Sequence, residues 1–332
     1  MVNEDFTLYR GESGQPHAVS FRCAHRGTQL NVGWVEDDCI RCRYHGWKYD
    51  ASGQCVEQPG EDPVYASKVG IRSYPVQEYI GLLFVYLGEG QPPQMKRYPD
   101  FERPGVVLND PPLVFPCNYF NQAENDEFHV CYTHLASSRR MGAAPGIRTI
   151  NAKETPYGIR SMATEPDGGH AGYLDVHIPS VSQIRTKARG YIDGSVEEDR
   201  IFWHVPIDDE HSVRFNASRV HLTGEEGEAL RQRRDRGEGS DNSQLYATGE
   251  DVLRGKITIE DMTESFSFYQ QFYVEDYATQ VGQGVYADRS QEHLGRTDVA
   301  IVLKRKIWAR ELRALEDGEP LTEWPSVALY DD

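Results

Sequence analysis

Near the start of the chain, Cys23-Ala-His25 is followed, after sixteen intervening residues, by Cys42-Arg-Tyr-His45. Two thiols and two imidazoles in two short runs constrain the fold more than any other feature, because the chain between them must double back for the four to meet. Each run leads into a glycine, Gly27 and Gly46. Glycine permits a sharp turn that aims backbone N–H groups back at whatever the side chains hold. Two Cys and two His can close a tetrahedral structural zinc site. One thiolate and one imidazole from each half, each followed by a turn, argue against a purely structural zinc. Cys39 adds a Cys-x-x-Cys spacing with Cys42, but Cys39, Cys55, Cys117 and Cys131 are read as ordinary buried thiols.

Length and charge bound the rest. A chain of 332 residues favours two cores over one. With 35 basic and 52 acidic residues the net charge is −17, which disfavours phosphate backbones and anionic membranes and suits docking to a basic protein partner. No apolar run approaches the ~20 residues that span a bilayer. No leading segment has a signal-peptide layout, and six cysteines without one argue for reduced thiols or metal ligands, so the cytoplasm is the expected compartment.

Residues 1–90 read as short strands, with hairpin signals at 11–16 and at Ser52-Gly53 and a turn before a buried strand in 79–88. Residues 91–112 have a Pro-rich, charged linker composition. A helix is expected over 117–135, capped by Asn118. Segments 146–165, 171–190 and 198–222 alternate as antiparallel strands. Residues 223–255 read as a solvated helix or loop. Helices are expected over 259–281, with Phe266, Tyr269, Phe272 and Tyr273 as an apolar stripe, and over 299–315. His204 is a candidate pocket residue.

A second constellation lies in "QAENDEFHVCYTHLA", residues 122–136. Asp126 and His129 are three apart and share a helix face. His129 and His134 are five apart, about 140° of rotation on a regular helix, so both address one metal only where the helix breaks or bulges. Two unrelated histidines are the plainer reading of that spacing alone.

Taken with the first pair, these motifs resemble the Rieske non-haem iron ring-hydroxylating oxygenases, terminal oxygenase (alpha) component. "CAHRG" and "CRYHGW" match the family's Rieske motif, and Asp126-x-x-His129-x₄-His134 matches its iron-binding stretch. "ADRSQEHLGRTDVAIVLKRKIW", residues 287–308, is similar to the phthalate-dioxygenase-like branch. The resemblance spans residues 6–315. It implies an α+β chain: an all-β Rieske domain, residues 1–100, then a helix-grip-like catalytic domain of antiparallel sheet with packed helices, residues 101–332. Two departures stand out. Relatives place more residues before the first Cys, so the chain is expected to begin inside the Rieske domain. They also read Glu-Asn-x-x-Asp, whereas Glu124-Asn125-Asp126 is contiguous here.

The resemblance implies further that Cys23 and Cys42 hold one iron of a [2Fe–2S] cluster and His25 and His45 the other. His129, His134 and a distant carboxylate would hold mononuclear Fe(II) as a 2-His-1-carboxylate triad. Asp276, in "FYVEDYATQVGQGVYADRS", matches that carboxylate, with Glu275 the alternate. Asp126 would bridge the two metals, joining His129 to a Rieske histidine of a neighbouring subunit in a homotrimer or a multiple of one. Electrons would come from NAD(P)H through a separate reductase, with or without a ferredoxin. With O₂ as oxidant, a small aromatic substrate, carboxylated or not, would be hydroxylated or O-demethylated, an EC 1.14 activity. Arg139, Arg140 and Arg148 are candidates to grip a carboxylate. Two other classes remain open: a Rieske electron-transfer protein with a ligand-binding domain and no oxygen chemistry, and a zinc-stabilised interaction protein.

Overall fold

The structure, a computed structural model, describes residues 4–125, 134, 147–187, 196–236, 243–264, 266 and 268–330. Residues up to Met95 form one compact unit and those from Lys96 onward another.

The first unit is built of small antiparallel sheets. Phe6–Arg10, Pro16–Ser20 and Ser73–Tyr74 form one, and Trp34–Glu36, Cys39–Arg41, Lys48–Tyr49 and Cys55–Glu57 form a second. The expected turn at Ser52-Gly53 is present, with Gly53 at φ 83° and its Cα packed so closely that an added Cβ would lie 2.1 Å from the Ile71 carbonyl oxygen. The stretch read as a turn and one strand is a full hairpin, Val76–Tyr79 against Leu82–Val85, with Ile80 and Gly81 both at positive φ. Val19, Leu30, Ile40, Trp47 and Tyr49 form the core, and Cys23 and Cys42 are buried within it.

The second unit centres on an antiparallel sheet. Its order is Val106–Asn109, Ser212–Val220, Glu197–Pro206, Val181–Lys187, His170–His177, Gly158–Thr164, Thr149–Thr155, with Leu113–Phe115 also paired to Ser212–Val220. The three alternating segments thus fold as three consecutive hairpins. The Pro-rich stretch read as linker contributes an edge strand at its end, because Val106 and Leu108 alternate inward and pack with Val220 and Leu230. Leu230 belongs to one of two helices, Gly224–Asp235 and Ser243–Leu253, that the charged segment 223–255 forms.

Cross-strand register sorts the sheet's two faces. Arg200, Phe202 and His204 share a face with Ser212, Arg214 and Asn216. Helix α1 (Tyr119–Asn125) packs there, since Gln122 donates to the Ser212 hydroxyl at 3.1 Å. Helix α2 (Phe268–Val281) packs there too, with Arg200 donating to the Tyr273 hydroxyl at 3.1 Å. Helix α3 (Val299–Glu316) buries Ala300, Lys304 and Ile307, the last against Ile159 and Val176. The opposite face carries Asp175, His177, Asp199 and Trp203 and is covered by Tyr98 and the C-terminal residues Leu329 and Tyr330. Among the described residues no helix is long and apolar enough to cross a membrane.

Candidate metal centres

The two Cys/His loops are one turn built twice. Gly27 N–H donates to the Cys23 carbonyl and Gly46 N–H to the Cys42 carbonyl, both at 3.0 Å, with the glycines at φ 72° and 76°. Cys23 N–H donates to Thr28 O at 2.9 Å and Cys42 N–H to Trp47 O at 2.8 Å, closing each loop one residue further on. Each thiol therefore sits at the base of its loop and is buried, whereas both imidazoles sit at the exposed tips. The His25 and His45 rings lie 4.5 Å apart, and His25 stacks on Trp47 at 4.6 Å with an interplanar angle of 9°.

The surroundings suit an electron-rich group held by sulfur inside and nitrogen outside. Tyr49 OH lies 3.2 Å from Cys23 Sγ and accepts from Ala24 N–H at 3.1 Å, so its own proton is free to point at the sulfur. Burial pushes the Cys23 thiol up, and the adjacent Cys42 adds to the effect. Partial desolvation first, then the neighbouring His25, holds His45 below the usual imidazole range. Arg41 anchors the second loop by donating to Gly46 O at 2.7 Å while bridging Glu36 and Glu57. Two thiols and two imidazoles with this division fit a [2Fe–2S] cluster that takes two protein ligands per iron.

Of the second constellation, Asp126 and His129 lie outside the described residues, as do Cys131, Arg139 and Arg140. His134 is described, and it meets both members of the acidic pair on α2. Its Nε2 lies 2.9 Å from Asp276 Oδ1 and its Nδ1 lies 2.7 Å from Glu275 Oε2. The ring stacks on Phe272 at 3.9 Å. A neutral imidazole has one N–H, so a neutral ring cannot donate to both carboxylates. An imidazolium satisfies the pair, and so does a cation shared by Nε2 and Asp276 with Glu275 orienting the ring through Nδ1. The separation of 2.9 Å also suits two neighbouring donors on one octahedral ion, each ~2.1 Å from it. Among the described residues no three His, Cys, Asp or Glu side chains close on a single point. The expected apolar stripe divides here: Phe272 faces His134, while Phe266 and Tyr273 pack into the core with Leu245, Met262 and Val274.

The approach to this site is held from two sides. Asn118 caps α1 by accepting from Phe120 N–H at 3.0 Å, as its position in the sequence implies. Lys304 donates to the Ala123 carbonyl, and Glu124 is paired with both Arg289 and Arg305. These α3 partners were not visible in the sequence, since nothing local marks Lys304 as buried. His204 is buried against Gln122, Nδ1 to Oε1 at 3.4 Å. Arg148 is paired with Glu165 at 2.9 Å.

Comparison with known proteins adds lineage to this geometry. Residues 1–75 match the Rieske [2Fe-2S] domain family. The chain is 29% identical over 336 residues to the 5,5'-dehydrodivanillate O-demethylase oxygenase subunit of Sphingobium sp. (strain NBRC 103272 / SYK-6), covering 96% of this chain and 72% of that one. It is also 29% identical over 349 residues to the phenoxybenzoate dioxygenase subunit alpha of Ectopseudomonas oleovorans, covering 96% and 76%. The terminal oxygenase of carbazole 1,9a-dioxygenase from Novosphingobium sp. KA1 shares the fold, with a TM-score of 0.62 at 20% identity over 91% of this chain and 84% of that one. The phthalate 4,5-dioxygenase oxygenase subunit of Pseudomonas putida also matches, at 26% identity over 96% and 77%, so these relatives support the wider group and do not single out a phthalate-dioxygenase-like branch. Residues 1–75 thus match the Rieske [2Fe–2S] domain family, and the chain over most of its length is similar to the oxygenase subunits of several Rieske-type oxygenase systems, with none of them, the phthalate branch included, singled out.

Proposed function

We propose that the protein is the terminal oxygenase of a multicomponent system that works in the cytoplasm, takes NAD(P)H electrons from a separate reductase or ferredoxin, and hydroxylates or O-demethylates an aromatic substrate. Cys23, Cys42, His25 and His45 hold the [2Fe–2S] cluster, and His129, His134 and Asp276 hold mononuclear Fe(II). The observation that carries this reading is His134, whose ring nitrogens each face a carboxylate of the Glu275-Asp276 pair. When bound, the iron supplies reductive activation of O₂ at positions left open by three protein ligands. The chain's own residues supply the rest. Glu275, fully buried, fixes the ring orientation of His134 through Nδ1. Phe272 closes one side of that ring to water. The relatives named above are an O-demethylase and dioxygenases, so both outcomes stay within the proposal.

Metal analysis with spectroscopy tests it. Anaerobically purified protein should contain iron and acid-labile sulfide and, once reduced, give the low-average-g EPR signal of a Rieske centre. NADH oxidation and O₂ uptake with a reductase should depend on a member of a panel of aromatic acids and methoxyaromatics. Zinc in place of iron, or an iron–sulfur signal with no substrate-dependent O₂ uptake across the panel, would sink the reading.

A further inference from the structure

Among the described residues three arginines are buried: Arg41, Arg214 and Arg219. Arg41 bridges Glu36 and Glu57, each at 2.7 Å, and Arg219 donates to Asp199 at 2.6 Å. Arg214 is 5% exposed and, among the described residues, has no ion pair and no hydrogen bond; its Nε is fully buried without a partner. A guanidinium cannot shed its proton to escape that situation. A buried cation with no anion beside it is costly to hold.

The setting of Arg214 specifies the anion. It lies on Ser212–Val220, opposite His204 on one neighbouring strand and Leu113 on the other, on the sheet face over which α1 and α2 pack. Its guanidinium sits 5.6 Å from the centroids of both Phe115 and Phe202. Tyr246 packs on Phe115 at 6.4 Å between ring centroids, and its buried hydroxyl is also without a partner. Two unsatisfied donors therefore flank one aromatic wall, and a donor-only guanidinium calls for an acceptor. Tyr277, the neighbour of Asp276 on α2, packs on Phe115 at 5.6 Å and on Tyr246 at 5.4 Å, which ties this wall to the candidate iron ligand.

We propose that Arg214, with Tyr246 beside it, is the anion-recognising residue of the substrate site, and that the substrate is an aromatic carboxylate seated among Phe115, Phe202 and Tyr277. This rests on the oxygenase reading for its location and deepens it by naming the substrate class. A guanidinium fork matches a carboxylate's two oxygens, and the aromatic walls take the ring.

The test is binding, measured by calorimetry on the full chain with its cluster, without reductant. The probes are 4-methoxybenzoate and 3-phenoxybenzoate, their amides and 4-methoxybenzenesulfonate. The wild type should bind at least one acid tighter than its amide, on the order of 10–100-fold, the range that charge-assisted hydrogen bonds span. Arg214→Gln should abolish that preference while keeping amide affinity and the Rieske spectrum. Tyr246→Phe should weaken the acid alone by a smaller factor, and serves as the second variant if Arg214→Gln does not fold. Equal binding of acid and amide by the wild type, an acid preference that survives Arg214→Gln, or tighter binding of the sulfonate would each overturn the assignment. Since binding needs neither electrons nor O₂, a failed oxygenase assay leaves this result standing, and the reverse also holds.

Discussion

At the scale of single residues, the hydrogen bond to sulfur and the division of the acidic pair have measurable consequences. Tyr49 OH is positioned to donate to Cys23 Sγ. Reduction adds negative charge to a cluster, so a donor there stabilises the reduced form. A net hydrogen bond of ~0.5–1.5 kcal/mol corresponds to roughly 20–60 mV for one electron. Tyr49→Phe should lower the Rieske midpoint potential by about that amount, read by EPR-monitored redox titration; an unchanged potential would remove the bond from the account. In the pair, Asp276 faces Nε2 of His134 and Glu275 faces Nδ1. Asp276→Ala should abolish turnover and mononuclear iron while leaving the Rieske spectrum intact. Glu275→Gln, which keeps an acceptor but loses the charge, should cost about 10–100-fold in iron affinity or activity. Full activity in Asp276→Ala would move the ligand role to its neighbour.

At the scale of elements, the site depends on how short helices are started and held. α1 is described over Tyr119–Asn125. It is supported by the Asn118 cap and by α3, whose Lys304 and Arg305 reach Ala123 and Glu124. Loss of an N-cap costs roughly 0.5–2 kcal/mol. Asn118 also donates to the Asp209 carbonyl at 2.9 Å, so Asn118→Ala should fall at the upper end. Chemical denaturation followed by far-UV circular dichroism should show the loss in the second unit's transition, with the cluster absorbance unaffected. A loss of cluster at the same denaturant concentration would mean that the two units do not unfold separately.

At the scale of the whole molecule, the two proposed metal centres would work only if electrons pass between them. Asp126, outside the described residues, is proposed as the bridge from His129 to His45 of a neighbouring chain in a homotrimer. Asp126→Asn should keep both metals and the assembly but slow cluster-to-iron transfer by orders of magnitude in stopped-flow single turnovers. Near wild-type turnover in that variant, or an active monomer by sedimentation, would end the bridge proposal.

The sequence by itself determined what is closed locally. The Rieske-type loops are set by hydrogen bonds spanning four and five residues and by glycines at positive φ, so Cys23, Cys42, Gly27 and Gly46 carry their geometry wherever they occur. The Asn118 cap and the three strand hairpins are legible for the same reason: their signals lie within a few positions. Only the tertiary structure decided which of two adjacent acids meets which nitrogen of His134, because neighbours on a helix point ~100° apart and the partner lies 141 or 142 residues away. It likewise paired Arg148 with Glu165 and buried Arg214 with no ion pair among the described residues. Both are ordinary arginines in the sequence; what separates them is sheet register, a long-range property that no local pattern encodes.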